Sequence, residues 1–106
     1  MFKNIHATCL DYQGHGVLLL GASGSGKSDL ALRLIYQHQA VLVADDRTDL
    51  SGDGTFLMAS APSVLSGLLE VRGVGIMKMP FVDKTTLALA VELVSSPAEV
   101  ERFPQN

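Results

Sequence analysis

Gly21-Ala22-Ser23-Gly24-Ser25-Gly26-Lys27-Ser28 is the stretch that decides how this 106-residue chain is read. It satisfies Gly-x-x-x-x-Gly-Lys-[Ser/Thr], the loop that cradles phosphates. The context agrees. Val17, Leu18, Leu19 and Leu20 form a short apolar run before it, and in Ser28 to Gln37 the positions Leu30, Ala31, Leu34 and Ile35 fall on one helical face. Strand, glycine-rich turn and helix therefore follow in order. Glycines at 21, 24 and 26 let the backbone take positive φ and wrap closely around a phosphate, so that successive N–H groups point inward. The helix that follows adds the positive end of its dipole, which Asp29 in its first turn also favours. Lys27 supplies a mobile positive charge for β and γ phosphates, and the Ser28 hydroxyl is placed to ligate Mg²⁺. The expected cargo is a nucleotide, held by Gly21 to Ser28.

Composition narrows the remaining classes. Hydrophobic residues make up 47% of the chain, with no tryptophan, which suits one domain over residues 1–106 with one core. A formal net charge of −3, with the charges scattered, offers no basic footprint for nucleic acid. Cys9 is the single cysteine, so an internal disulfide framework and a cysteine-based zinc cluster are both excluded, and a buried small hydrophobe is its expected role. His6, Thr8 and Asp11 interrupt the N-terminal stretch before it becomes a signal peptide. No segment approaches the roughly 18 unbroken apolar residues of a membrane helix. A soluble, cytoplasmic protein is expected.

Along the chain, Ile5 to Asp11 reads as a strand, Gln13-Gly14-His15-Gly16 as a turn, and Val17 to Leu20 as the returning strand of a hairpin. His6 then lies near the end of the strand that feeds the phosphate loop, although a lone histidine is more often a surface or core residue than a catalytic one. Val41 to Ala44 is a second apolar run, of the kind buried on both faces. It stops at Asp45 and Asp46. Two carboxylates at the end of a buried strand are costly without partners. Either they form a solvated turn, or one helps to hold Mg²⁺ while the other accepts the proton of an attacking hydroxyl.

Arg47 to Leu50 continues as a strand, Ser51-Gly52-Asp53-Gly54 turns, and Thr55 to Ala59 returns. Pro62 begins a break, and Ser63 to Gly67 makes a helical turn or a loop. In Leu68 to Arg72, alternation puts Glu70 and Arg72 on one side and Leu69 and Val71 on the other. On spacing alone Glu70 and Arg72 read as an exposed charge pair worth less than about 1 kcal/mol. Gly73-Val74-Gly75 precedes a further run from Ile76 to Met79, and Thr85 to Val94 is a long β-prone segment. Ser96, Pro97 and Glu99 match a short, capped helix start.

Taken together, these blocks resemble the catalytic domain of HPr kinase/phosphorylase, a bacterial regulatory kinase. The residues that carry the resemblance are His6, the loop Gly21 to Ser28 with the acid Asp29, Val43-Ala44-Asp45-Asp46-Arg47, Ala61-Pro62, and Leu68-Leu69-Glu70-Val71-Arg72-Gly73-Val74-Gly75-Ile76. The resemblance implies an α/β P-loop kinase fold with a mixed, largely antiparallel sheet like that of phosphoenolpyruvate carboxykinase. It implies ATP-dependent phosphorylation, with Mg²⁺, of a serine on HPr, the small phosphocarrier protein of the sugar phosphotransferase system. Phosphorolysis of that phosphoserine, with inorganic phosphate as acceptor, is the implied reverse activity.

Carried onto this sequence, the resemblance places the phosphates on Lys27 and the loop amides, and the metal with Ser28, Asp46 and Glu70. Asp45 takes the serine proton, His6 tunes the carboxylates, and Arg72 neutralises the transferring charge, a role worth roughly 10³ to 10⁵ in rate. The chain is expected to represent a compact form without the family's N-terminal domain. Exposed sheet edges in so small a domain leave self-association open. A small-molecule P-loop kinase and a nucleotide-sensing module that transfers nothing are the alternative functions, distinguished by where, if anywhere, phosphate appears.

Overall fold

Strand β1, Phe2–Tyr12, is the spine of the structure. The computed structural model describes residues 2–22, 24–52, 55–71 and 73–94. β1 turns back through Gln13 and Gly14 into β2, His15–Leu20. Both turn residues have positive φ, 53° and 88°, the geometry whose twist matches a two-residue hairpin. The turn is thus shorter than the sequence suggested, because His15 and Gly16 already belong to β2. Gly16 serves packing: a Cβ there would meet the Thr85 methyl and the Thr86 carbonyl at 2.7 Å.

Helix α1, Lys27–His38, follows the phosphate loop, and β3, Val41–Ala44, follows the helix. β4, Arg47–Gly52, and β5, Leu57–Ser60, form the next antiparallel pair. Ser51 and Gly52 are therefore strand, where the sequence suggested a turn, because they pair with Met58 and Leu57. Asp53 and Gly54 lie outside the described residues. A short 3-10 turn at Ser63–Leu65 leads to β6, Leu68–Val71, and β7, Gly75–Lys78, a separate two-stranded sheet. β8, Lys84–Glu92, completes the described chain. The helix start expected at Ser96, Pro97 and Glu99 lies beyond the described residues.

Among the described residues β2 and β8 run parallel, and the other ladders are antiparallel. The sheet is therefore mixed and largely antiparallel, as the resemblance implied. β1 pairs with β2 through Ala7 to Tyr12 and with β4 through Phe2 to His6, and β8 joins β2 to β5. These ladders form a closed circuit, β1–β2–β8–β5–β4–β1, with β3 added alongside β1.

Side-chain alternation along β1 serves two cores. Leu10 joins Leu19, Leu42 and Leu69 beneath Ala31 of the helix, whereas Ala7 and Cys9 join Leu18, Val43, Ala44 and Ala59 on the opposite face. Burial pushes the Cys9 thiol up to about 12, with a smaller contribution from the Asp11 carboxylate. Cys9 is a packing residue, not a reactive one. No helix among the described residues is long and apolar enough to cross a membrane.

Candidate active site

The site follows from one feature of the ladder pattern. β2 and β3 are both antiparallel to β1, so their C-terminal ends point the same way and finish beside the middle of β1, at Ala7 and Cys9. One end opens into the phosphate loop and the other into Asp45 and Asp46. On the helix-facing side of β1, alternation leads from Leu10 to Thr8 to His6, from apolar core to polar site.

The loop has the backbone that its sequence requires. Gly24 and Gly26 have φ of 84° and 101°, and a Cβ on either would meet nothing within 4 Å, so these glycines answer to conformation alone. Gly26 begins α1 without a side-chain cap, which leaves the first-turn N–H groups to an anion. Lys27 is buried, and its ammonium donates to the carbonyls of Gly21 at 2.7 Å and Ala22 at 3.1 Å, bracing the loop from within. Ser23 lies outside the described residues.

The two aspartates differ sharply. Asp45 is 7% exposed and accepts three hydrogen bonds. The Thr8 hydroxyl donates to Oδ1 at 2.9 Å, the Ser28 hydroxyl to the same oxygen at 2.8 Å, and the Glu70 N–H to Oδ2 at 3.0 Å. Asp46 sits in the left-handed region with φ 70°, and its side chain is 65% exposed. Its Oδ1 lies 2.8 Å from Nε2 of His6. The kink that separates the pair is held by the Arg47 N–H donating to the Asp45 carbonyl at 2.7 Å, and by the Ala7 N–H donating to the Asp46 carbonyl at 3.0 Å.

A cavity of about 630 Å³ opens over these groups. Lys27, Ser28 and Asp46 line one side, and the β6–β7 hairpin supplies Glu70, Val71 and Val74 on the other. Of the residues expected to act, Lys27, Ser28, Asp46 and Glu70 line this cavity, buried Asp45 is bonded to Thr8, Ser28 and the Glu70 N–H of its wall, and His6 reaches it through Asp46, while Arg72 lies outside the described residues. Buried Leu69 and exposed Glu70 alternate as the sequence predicted. Thr8 was missed. In sequence it is an ordinary β-branched strand residue, and its place beside both aspartates depends on which strands flank β1.

The residues present suit a metal–nucleotide complex. A braced lysine, an uncapped helix start and loop glycines with no side chains fit phosphate oxygens, and Ser28, Asp46 and Glu70 on the cavity wall carry oxygen donors of the kind Mg²⁺ prefers, while among the described residues no three His, Cys, Asp or Glu side chains cluster to hold a metal by themselves.

Comparison with known proteins extends this geometry. The family model for the HPr serine kinase C-terminal domain matches residues 2–103. The HPr kinase/phosphorylase of Clostridium tetani is 36% identical over 102 residues, covering 96% of this chain and 33% of the relative. That of Clostridium acetobutylicum is 45% identical over 76 residues, covering 72% of this chain and 25% of the relative. The chain thus spans a third or less of the length of these two curated relatives. The structure of the Hpr(Ser) kinase/phosphatase from Coxiella burnetii superposes with a TM-score of 0.83 at 32% identity, covering 98% of this chain and 71% of that one. With the phosphate loop, Asp46 and the β6–β7 hairpin on one cavity, Asp45 and His6 bonded to residues that line it, and the match running through nearly all of its residues, the chain belongs to the HPr serine kinase C-terminal domain family.

Proposed function

We propose that residues 1–106 form a catalytic domain that transfers the γ-phosphoryl group of ATP to a serine of HPr or an HPr-like phosphocarrier, in the cytoplasm, and that also runs the phosphorolytic reverse. The observation that carries this reading is the bond between Ser28 of the phosphate loop and Asp45, next in sequence to the Asp46 that pairs with His6, with Ser28 and Asp46 both lining the cavity. In this reading loop, carboxylates and imidazole serve one transferring group.

In this reading Lys27 and the loop N–H groups bind and orient the phosphates. Bound Mg²⁺ would supply charge neutralisation at the phosphate oxygens, held by Ser28, Asp46 and Glu70. Asp45 is the proton acceptor. A carboxylate offers about four lone-pair positions, and Thr8, Ser28 and the Glu70 amide use three, which leaves one on Oδ2 for the serine proton. Its burial keeps that proton from bulk water, so it is available for return in the reverse direction. His6 backs Asp46 on the exposed side, and Arg72 is assigned to the transferring charge.

The opposite division of labour between the aspartates has support of its own. A strand-end aspartate bonded to the loop serine is the usual metal-side arrangement, and exposed Asp46 is the carboxylate that an incoming protein meets first.

The experiment is incubation with ATP, Mg²⁺ and HPr from the same cell, followed by mass spectrometry of HPr. Wild type is compared with Lys27→Ala and Asp45→Asn. Phosphate on an HPr serine that disappears in both variants supports the proposal. Phosphate on a metabolite instead would identify a small-molecule kinase, and ATP binding without any transfer would identify a sensing module.

A further inference from the structure

Thr8 is wholly buried, and its hydroxyl stands between the two aspartates. It donates to Asp45 Oδ1 at 2.9 Å and accepts from the Asp46 N–H at 3.3 Å. We propose that Thr8 is a positioning residue that couples Asp45 to Asp46, so that the placing of one fixes the orientation of the other. The inference rests on the reading of these aspartates as the working carboxylates.

The fold itself does not ask for this hydroxyl. Thr8 continues the row of β1 that contains Leu10, and valine has nearly the same shape and a strong strand preference. Without partners, a buried hydroxyl there would destabilise the fold. Its partners are the two aspartates.

The direction of the bonds carries the rest of the argument. A hydroxyl has one proton to give. Because the Asp46 N–H already donates to the Thr8 oxygen, the Thr8 proton is aimed at Asp45, and the bonds run in one direction from Asp46 amide to hydroxyl to carboxylate. Each bond in such a chain polarises the next. Thr8 and Ser28 spend both their protons on Oδ1, which fixes the Asp45 rotamer and reserves Oδ2 for the Glu70 N–H and the incoming serine.

At the other end, Asp46 holds a left-handed backbone, which aspartate tolerates better than most non-glycine residues and which its neighbours hold in place. The Thr8 oxygen is one of those neighbours, through the Asp46 N–H. A change at Asp46 that shifts its backbone moves the amide that Thr8 reads and so reaches Asp45.

The test compares Thr8→Val, which keeps the shape and removes the hydroxyl, with Thr8→Ser, which restores it. Amide hydrogen exchange is followed by NMR in the free protein at Asp46 and Glu70, relative to the core amides of Leu10 and Leu42. Glu70 is the informative site because it does not touch the Thr8 hydroxyl and reports on Asp45 through Oδ2. Thr8→Val should speed exchange at both sites about tenfold relative to the core, the effect of losing one hydrogen bond to a charged group, and Thr8→Ser should restore protection. A purely structural role would move all four amides together.

With HPr as acceptor, Thr8→Val should lower kcat about tenfold and leave KM for ATP unchanged, and Thr8→Ser should recover it. An unchanged Glu70 amide in Thr8→Val, no rescue by serine, or an undiminished kcat would overturn the proposal. A wild type that transfers nothing to HPr would defeat the functional reading alone, since exchange at Glu70 still decides the tether.

Discussion

Replacing Asp45 by asparagine removes a charge and changes almost no volume, so its effect can be worked out from three hydrogen bonds. The side chain is buried and accepts from the Thr8 hydroxyl, the Ser28 hydroxyl and the Glu70 N–H. Asparagine presents one oxygen and one NH₂. With the oxygen in the Oδ1 position the two hydroxyls keep their acceptor, but the NH₂ then faces the Glu70 N–H, donor against donor. Losing that bond and leaving a buried donor without an acceptor costs about 1 to 3 kcal/mol, and the two surviving bonds weaken by about 1 kcal/mol each once the charge is gone. Relief of repulsion from the neighbouring Asp46 returns about 1 kcal/mol, so the net loss is about 2 to 4 kcal/mol.

Asp46→Asn is the natural control. Its side chain is largely exposed and, among the described residues, pairs with His6, so the change should stay within about 1 kcal/mol. In a domain of this size, Asp45→Asn should lower the nucleotide-free Tm by about 10 to 20 °C, and Asp46→Asn by no more than about 5 °C. Thermal unfolding followed by circular dichroism measures both, and HPr phosphorylation is then assayed well below the lower Tm. Asp45→Asn should abolish transfer, while Asp46→Asn should raise the Mg²⁺ concentration that transfer requires. Equal Tm values for the two variants would refute the hydrogen-bond argument. Normal transfer by Asp45→Asn together with none by Asp46→Asn would exchange the roles assigned to the aspartates.

Among the described residues the buried Ser25 hydroxyl oxygen has no hydrogen-bond partner, so Ser25→Ala should be neutral or stabilising by up to about 1 kcal/mol in urea unfolding. Leu69→Ala should cost about 2 to 4 kcal/mol by the same measurement, because Leu69 is fully buried among Leu10, Leu19 and Leu42. Burial raises the Cys9 pKa from 9.0 to about 12, so the folded protein keeps a thiol proton that the unfolded chain gives up. This contribution is intact below pH 9.0 and is lost at up to about 1.4 kcal/mol per pH unit as pH rises toward 12. Urea unfolding of wild type and Cys9→Ala between pH 8 and 11 should therefore show the steeper alkaline decline in wild type.

What could be read from the sequence was whatever a residue's own chemistry demands of its backbone. The phosphate loop was legible because glycines at 24 and 26 answer to positive φ, and Asp45 and Asp46 because charge at the end of an apolar strand needs a reason. The parallel pairing of β2 with β8 and the closure of the circuit were not legible, since a strand's periodicity says which face is buried and not which strand lies beside it. Gly16 looked like part of a turn for the same reason. Its partner in close packing, Thr85, is far away in sequence.

The same distinction explains how so short a chain assembles the site. A strand that is antiparallel to both neighbours makes their ends coincide, so the ladders of β1 bring the phosphate loop and the aspartates together before any side chain is considered. Backbone ladders place Cα atoms well, but they do not choose a carboxylate rotamer. That choice rests with Thr8, Ser28 and the Glu70 amide, one each from β1, the start of α1 and β6. Each belongs to a different element, so a shift of the helix or the hairpin registers first at Asp45. The carboxylate proposed to accept the serine proton is therefore also the point at which the packing of the whole domain is felt.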